Sequence, residues 1–335
     1  MLLGFTFSLK ISIGGRKASS RRKRKEGMRD APRAPLFLEF IDREMKRVRR
    51  RCRRSTCDNY MTARRSFAAF LGGADIPLRE VTPQLVSRYS QWLSDRGVSL
   101  NTSSCYMRSL RAMYNAAAVK HRIRRCSPFS AVFTGNVPTR KRALGETDMR
   151  RIGIADVEED TVRSWARDVF MFCFYAMGMP FADAMLLRKS RVSDGTITYL
   201  RRKTGREVTV GIEPCMERIM RKYAGCDADY VFPVPTGDRF PGGKGYARLL
   251  KCYNAALKVL SRDVGLCLPL TSYVARHTWA SLAYRRNVPL HVIAQALGHS
   301  SPRVTMTYIR ELDGSTVRRA NKKIIRGFTS ATSVQ

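Results

Sequence analysis

Residues 271–280 read Thr-Ser-Tyr-Val-Ala-Arg-His-Thr-Trp-Ala, residues 297–299 read Leu-Gly-His, and Tyr308 follows His299 by nine positions. An arginine, a histidine and a phenol thus stand in three short stretches of a region that reads as helical, with Thr271 placed to cap one helix and Gly298 to stop another. A last amphipathic segment is expected from Ser315 to Ile325. Upstream, the β-prone runs 196–200 and 207–212 flank Arg201-Arg202-Lys203-Thr204-Gly205-Arg206, the pattern of a hairpin with a basic turn. Helical spacing also covers 162–177, stopped by Gly178, and 246–260. Residues 143–328 therefore read as a mainly helical domain with a small antiparallel sheet, followed by a short tail, 329–335.

The preceding stretch, 34–126, reads as four helices. Phe37, Phe40, Ile41, Met45 and Val48 share one face, and Tyr60, Ala63, Phe67, Phe70 and Leu71 a second that ends at Gly72-Gly73. A third helix has Thr82 as N-cap, Pro83 at its first position and Gly97 beyond its end, and a fourth runs from about Asn101 to His121 with Tyr106, Leu110, Met113 and Ala117 inward. Residues 127–142, with Pro, Gly and basic side chains and no periodicity, read as an exposed linker. The basic residues 1–33 show no apolar face and read as a disordered tail, either a phosphate-binding arm or a solvated leader.

Charge narrows the choice of partner. Sixty-two Lys+Arg against 27 Asp+Glu leave a net charge of +35, which calls for a polyanion, and nucleic acid is the first candidate. No apolar run reaches the ~18 residues that would span a bilayer, so a membrane is set aside. The apolar start, Met1 to Ile13, is followed rather than preceded by its basic cluster, the wrong order for a secretory signal. Nine scattered cysteines without a CxxC pair, beside only four histidines, fit free thiols in a cytosol and give no zinc motif. On the bundle, Arg64, Arg65, Arg108 and Arg111, with the arginine clusters at 49–54 and 122–125, are DNA-contact candidates; solvated helix faces are the plain alternative.

Taken together, the boxes in the second domain resemble those of the tyrosine recombinase, or phage integrase, family. Arg276 stands in the arginine place of its HxxR box, with Tyr273 where most members have histidine; Leu297-Gly298-His299 matches the LGH box; Tyr308 falls at the interval of the nucleophile; and Lys203 corresponds to the hairpin lysine. The four-helix stretch resembles the family's core-binding (SAM-like) domain, and the run Ala-Arg-His-Thr-Trp-Ala is similar to the branch carried by conjugative and mobilizable elements. The resemblance implies a site-specific recombinase that cuts and rejoins double-stranded DNA through a 3′-phosphotyrosyl link at Tyr308, without cofactor or metal. It further implies a homotetramer on DNA, a monomer in solution being compatible with it, accessory DNA-bending proteins, and a bacterial cytoplasmic, nucleoid-associated setting.

The residue types suit the chemistry. Transesterification at a phosphodiester needs a nucleophile, positive donors for the non-bridging oxygens, and an acid for the departing 5′ oxygen. Tyr308 supplies the first, and a phenol leaves well again when the strand is resealed. Arg276 and His299 supply donors; Lys203 supplies the proton or contacts a phosphate. His277 joins the site or makes a core hydrogen bond, and Tyr273 orients a neighbour or weakly accepts a proton. One family feature is missing: Pro180 stands where a box of the form TGLR carries another arginine, and Arg188 and Lys189 are the nearest substitutes in sequence. Pro180 and Tyr273 leave open a DNA-binding accessory factor or repressor with a decayed site, and a single-duplex nicking enzyme of the type IB topoisomerase kind shares the chemistry.

Overall fold

The computed structural model describes residues 35–48, 54–123, 126–137, 143–234, 244–299, 305 and 325. The expected N-terminal tail, much of the first arginine cluster, the segment 315–324 and Tyr308 itself lie outside the described residues. The chain divides into two compact units, Met1–Asn136 and Val137–Gln335, each with its own apolar core.

The first unit is a bundle of α1 (Phe37–Val48), α2 (Arg54–Phe70), α3 (Pro83–Asp95) and α4 (Leu100–Lys120). Helix α3 starts where local chemistry dictates. Thr82 Oγ1 accepts the Leu85 N–H at 3.3 Å, and Pro83 sits at a position whose N–H has no helical partner anyway. Helix α1 is capped from afar: the N–H groups of Leu38 and Glu39 each donate to a carboxylate oxygen of Asp75 at 2.8 Å, anchoring the positive helix end on an anion from the α2–α3 connection. The faces seen in the sequence meet in a core where Phe67 lies edge-on to Phe37 and Tyr89, at 6.0 and 5.0 Å between centroids. The Tyr89 hydroxyl donates to Ser66 Oγ at 2.7 Å, so its polar end is not stranded. Residues 127–136, which composition assigns to a linker, pack on this bundle. Phe129 is 3% exposed among the core side chains, and Ser104 Oγ donates to the Gly135 carbonyl at 2.6 Å. A single aromatic with an apolar pocket to fill outweighs the turn-prone residues around it.

The second unit carries α5 (Glu146–Gly153), α6 (Val162–Tyr175), the short α7 (Phe181–Ala184), then β1 (Val192–Ser193), β2 (Thr196–Leu200) and β3 (Glu207–Gly211), followed by α8 (Pro214–Lys222), α9 (Lys244–Asp263), α10 (Val274–Arg285) and α11 (Leu290–Ala296). The three strands form an antiparallel sheet in the order β1-β2-β3, with Ile197 opposite Val210 and Tyr199 opposite Val208, all four turned to the core. Helix α6 is buried along most of its length, because Trp165, Val169, Phe170 and Phe172 present apolar surface on more than one face. Phe181 of α7 stacks on Tyr253 of α9 at 4.2 Å, and Trp165 meets that tyrosine edge-on. The cap of α10 differs from expectation: the helix begins after Tyr273, and Thr271 instead offers its carbonyl to the Val274 N–H in a preceding turn. Among the described residues no helix is long and apolar enough to cross a membrane.

Candidate active site

The second unit gathers three distant stretches around one guanidinium. Arg276, in the first turn of α10, is 2% exposed. Its Nη1 donates to the Gly178 carbonyl at 2.8 Å, and its Nη2 donates to the Leu297 carbonyl at 2.6 Å and to His299 Nε2 at 3.0 Å. Two glycines make this approach feasible. Gly178 has φ +69°, and a Cβ there would stand 3.0 Å from Arg276 Cα; Gly298 has φ +61°, and a Cβ there would stand 2.7 Å from Arg201 Cγ. Any side chain would be strained by the backbone and would push an arginine out of place.

His299 is 5% exposed and bonded on both sides of its ring, with Nδ1 2.8 Å from Thr305 Oγ1. A guanidinium only donates, so Nε2 is the acceptor and the neutral ring carries its proton on Nδ1, directed at the threonine. Burial, followed by the charges of Arg276, Arg201 and Lys203, lowers the pKa of this imidazole to about 4. The ring is therefore neutral at pH 7 until an anion arrives to offset those cations. Thr305 is fully buried and stands three positions before Tyr308 in the sequence.

The hairpin closes over the same place. Thr204 Oγ1 donates to the Gly298 carbonyl at 3.1 Å and Arg206 Nη1 donates to the His299 carbonyl at 2.7 Å, which ties the turn to the Leu-Gly-His stretch. Lys203 is exposed in that turn, close enough to act on the charge of His299. Tyr273 is 48% exposed, with its ring 5.3 Å from that of the half-buried His277. Pro180 opens α7, and one turn on, the buried Asp183 pairs with Arg201 at 2.5 Å.

Arg188 and Lys189 serve other partners. Arg188 is exposed and lies over the Tyr230 ring at 5.3 Å; Lys189 Nζ donates to the carbonyls of Ala224 and Asp227, at 2.5 Å each. The extended chain at 187–189 is bonded to 229–231, which holds both residues beside the segment 224–230 that supplies their partners. The cation that does pack against Gly298 is Arg201. Sequence reasoning passed over it as one member of a basic turn, since nothing local says that the first residue after β2 turns inward.

In the first unit Arg65, Arg108 and Arg111 are exposed on α2 and α4, whereas Arg64 is bonded to Asp42 at 2.7 Å and is only a quarter exposed. Arg64 is thus the least available of the four for a phosphate.

Two buried guanidiniums and a neutral imidazole, with the single buried carboxylate of Asp183 beside them, make a cationic cluster of a kind suited to an oxyanion, on a helical fold whose other unit displays arginines. Comparison with known proteins gives that class its family. The phage integrase SAM-like domain model matches residues 36–132, and the phage integrase family model matches residues 144–314. The chain belongs to the phage integrase family and is a site-specific DNA recombinase, an enzyme of DNA strand transesterification. Among solved structures, a lambda integrase (75–356) dimer bound to a COC′ core site superposes with a TM-score of 0.65 at 18% identity, over 83% of this chain and 98% of that one. A lambda integrase tetramer bound to a Holliday junction gives 0.63 at 18%, over 84% and 80%. The Tn1549 transposon integrase (residues 82–397, Y379F) in complex with transposon right end DNA gives 0.63 at 13%, over 87% and 100%. No curated protein matches the chain.

Proposed function

We propose that this recombinase cleaves and reseals double-stranded DNA with Tyr308 as nucleophile and the Arg276–His299 cluster around the scissile phosphate. The carrying observation is that Arg276 and His299, 23 residues apart, are in direct contact in a buried, positively charged cluster onto which the basic hairpin is bonded. In the forward step the Tyr308 phenol gives up its proton, its oxygen bonds to phosphorus, the P–O5′ bond breaks, and the 5′ oxygen takes up a proton. The chain then holds a 3′-phosphotyrosyl link, and the reverse attack by a 5′-hydroxyl reseals the strand with no outside energy source.

Each group has a task that its surroundings permit. Arg276 offers donors to the non-bridging oxygens by exchanging carbonyl partners for phosphate. His299 Nε2 accepts from Arg276 in the free protein, and the negative charge of a bound phosphate draws a proton onto it and turns it into a donor. Lys203, exposed at the turn, delivers the proton to the 5′ oxygen. Tyr273 and His277, one turn apart, orient the rim of the pocket. Arg65, Arg108 and Arg111 hold backbone phosphates, and the protein assembles as a homotetramer on two duplexes, assisted by DNA-bending proteins, in the bacterial cytoplasm. Likeness to a lambda integrase tetramer on a Holliday junction supports the assembly, and likeness to a transposon integrase supports a mobile-element role.

The test is covalent trapping on nicked duplexes tiled across the DNA that flanks this gene. A denaturant-resistant adduct that disappears in Tyr308→Phe is expected. Its absence from the unaltered chain on every duplex contradicts cleavage and leaves DNA binding alone. Resolved Holliday junctions among the products separate recombination from relaxation of a single duplex.

A further inference from the structure

A pentacoordinate phosphorus carries two non-bridging oxygens on which charge grows, and Arg276 faces them with its Nη groups already engaged by Gly178, Leu297 and His299. A second preorganised cation is called for, and the helix that opens at Pro180 brings none: its residues are Phe181, Ala182, Asp183 and Ala184. What α7 does bring is Asp183, and Asp183 reaches an arginine from another element.

We propose that Arg201 is the second phosphate-binding arginine of this site, held by Asp183 and directed at a non-bridging oxygen of the scissile phosphate. This rests on the recombinase reading above and adds a residue to it. Arg201 is the first residue after β2, 6% exposed, with its backbone N–H bonded to the Arg206 carbonyl across the turn. Its Cγ packs against Gly298, the residue next to His299, in room that exists because Gly298 has no Cβ.

The pair with Asp183 is one-sided. Asp183 Oδ2 accepts from Arg201 Nη1 at 2.5 Å, while Oδ1 accepts from the Arg202 backbone N–H at 3.2 Å, so the carboxylate holds the guanidinium through one oxygen only. Among the described residues Arg201 Nε has no acceptor, although it is buried. A guanidinium that is desolvated yet only partly satisfied is costly to keep, and the arrangement is that of a donor waiting for an acceptor. Arg201 and Arg276 also act on the same two buried groups, lowering the proton affinity of His299 and opposing the rise that burial gives the Tyr199 phenol. Both guanidiniums therefore lie beside the Gly298–His299 stretch, Arg201 packed against the glycine and Arg276 bonded to the histidine. Asp183 is a positioning residue; Arg201 is the group that touches substrate.

The experiment compares the rate of adduct formation on nicked duplexes with a phosphate or a methylphosphonate at the cleavage point, the latter having a neutral methyl group in place of one non-bridging oxygen. On phosphate, Arg201→Ala is expected to slow adduct formation by about 10² to 10³-fold, the usual loss for one preorganised donor. On one of the two methylphosphonate diastereomers it is expected to come within about tenfold of the unaltered chain, because the charge it served is gone. Asp183→Asn, which keeps the shape but weakens the hold, is expected to give a smaller loss with the same rescue. If Arg201→Ala does not fold, Arg201→Lys takes its place, with the same substrate dependence expected. A variant as fast as the unaltered chain on phosphate overturns the proposal, as does one equally slow on both substrates, which would mark Arg201 as purely structural. A Tyr308-dependent adduct from the unaltered chain keeps the recombinase reading intact in either case; no adduct from the unaltered chain on any duplex rejects that reading and this assignment together.

Discussion

In the four-helix unit Arg65, Arg108 and Arg111 are exposed, and several buried polar side chains find partners within the unit: Ser109 donates to the Cys105 carbonyl, Ser104 to that of Gly135, and Glu44 pairs with Arg47. In the second unit Arg201, Arg276, His299 and Asp183 are all buried and bonded to one another or to chain carbonyls from separate elements. Charge in water at the end of a flexible stem binds backbone phosphates diffusely and with strong salt dependence. Charge fixed in a low-dielectric pocket acts on one phosphate and needs little reorganisation when the reaction's charge develops. Under the proposed function the same residue type serves grip in one unit and chemistry in the other, and burial makes the difference.

The contrast can be pressed first through stability. Truncating the bundle's central ring, Phe67→Ala, is expected to cost about 4 kcal/mol by cavity formation, seen as faster amide exchange in α2 and α4 while the second unit's protection is unchanged. Arg276→Met leaves the carbonyls of Gly178 and Leu297 and the Nε2 of His299 without their donor. About 3 kcal/mol is expected for that loss, measured by urea denaturation, and here adduct formation is lost as well. A Met variant that remains fully active would erase the distinction between the units.

Acid sharpens the comparison at a single group. His299 takes up its proton at about pH 4 in the folded protein, against an ordinary 6.5. Between those values the unfolded chain binds a proton that the folded one refuses, so stability falls as pH is lowered from 6.5 toward 4, by on the order of 2 kcal/mol. His299→Gln is expected to flatten that part of the stability-against-pH curve; an unchanged slope would mean the imidazole is not held neutral. The smallest effects belong to the exposed arginines. Arg65→Gln, Arg108→Gln and Arg111→Gln are each expected to cost under about 1 kcal/mol of DNA affinity and to reduce the slope of log affinity against log salt by about one, with Arg64→Gln moving the slope least.

What could be read in the sequence was what local chemistry decides. The third helix announced both its ends through Thr82, Pro83 and Gly97, and the alternation of Ile197, Tyr199, Val208 and Val210 gave the hairpin. Residues that depend on distant partners were hidden. Asp75 caps a helix more than 30 residues away, Phe129 fills the bundle from inside a stretch with linker composition, and β1 and α7 are too short to carry a period. For the site, motif spacing pointed to Arg276 and His299, which the fold brings together. Arg201 was lost among Arg202, Lys203 and Arg206, because its inward turn is set by Asp183 and by the space above Gly298.

The central claim is that one phosphate is gripped by the Arg276–His299 cluster while the phenol at 308 attacks it. Trapping the adduct on a nicked duplex, trimming the DNA with nuclease and mapping the tryptic peptides by mass spectrometry reads this directly. The account predicts a nucleotide 3′-phosphate on Tyr308 in the unaltered chain and little or none in Arg276→Lys. A label on any other residue, or undiminished labelling in Arg276→Lys, would contradict it.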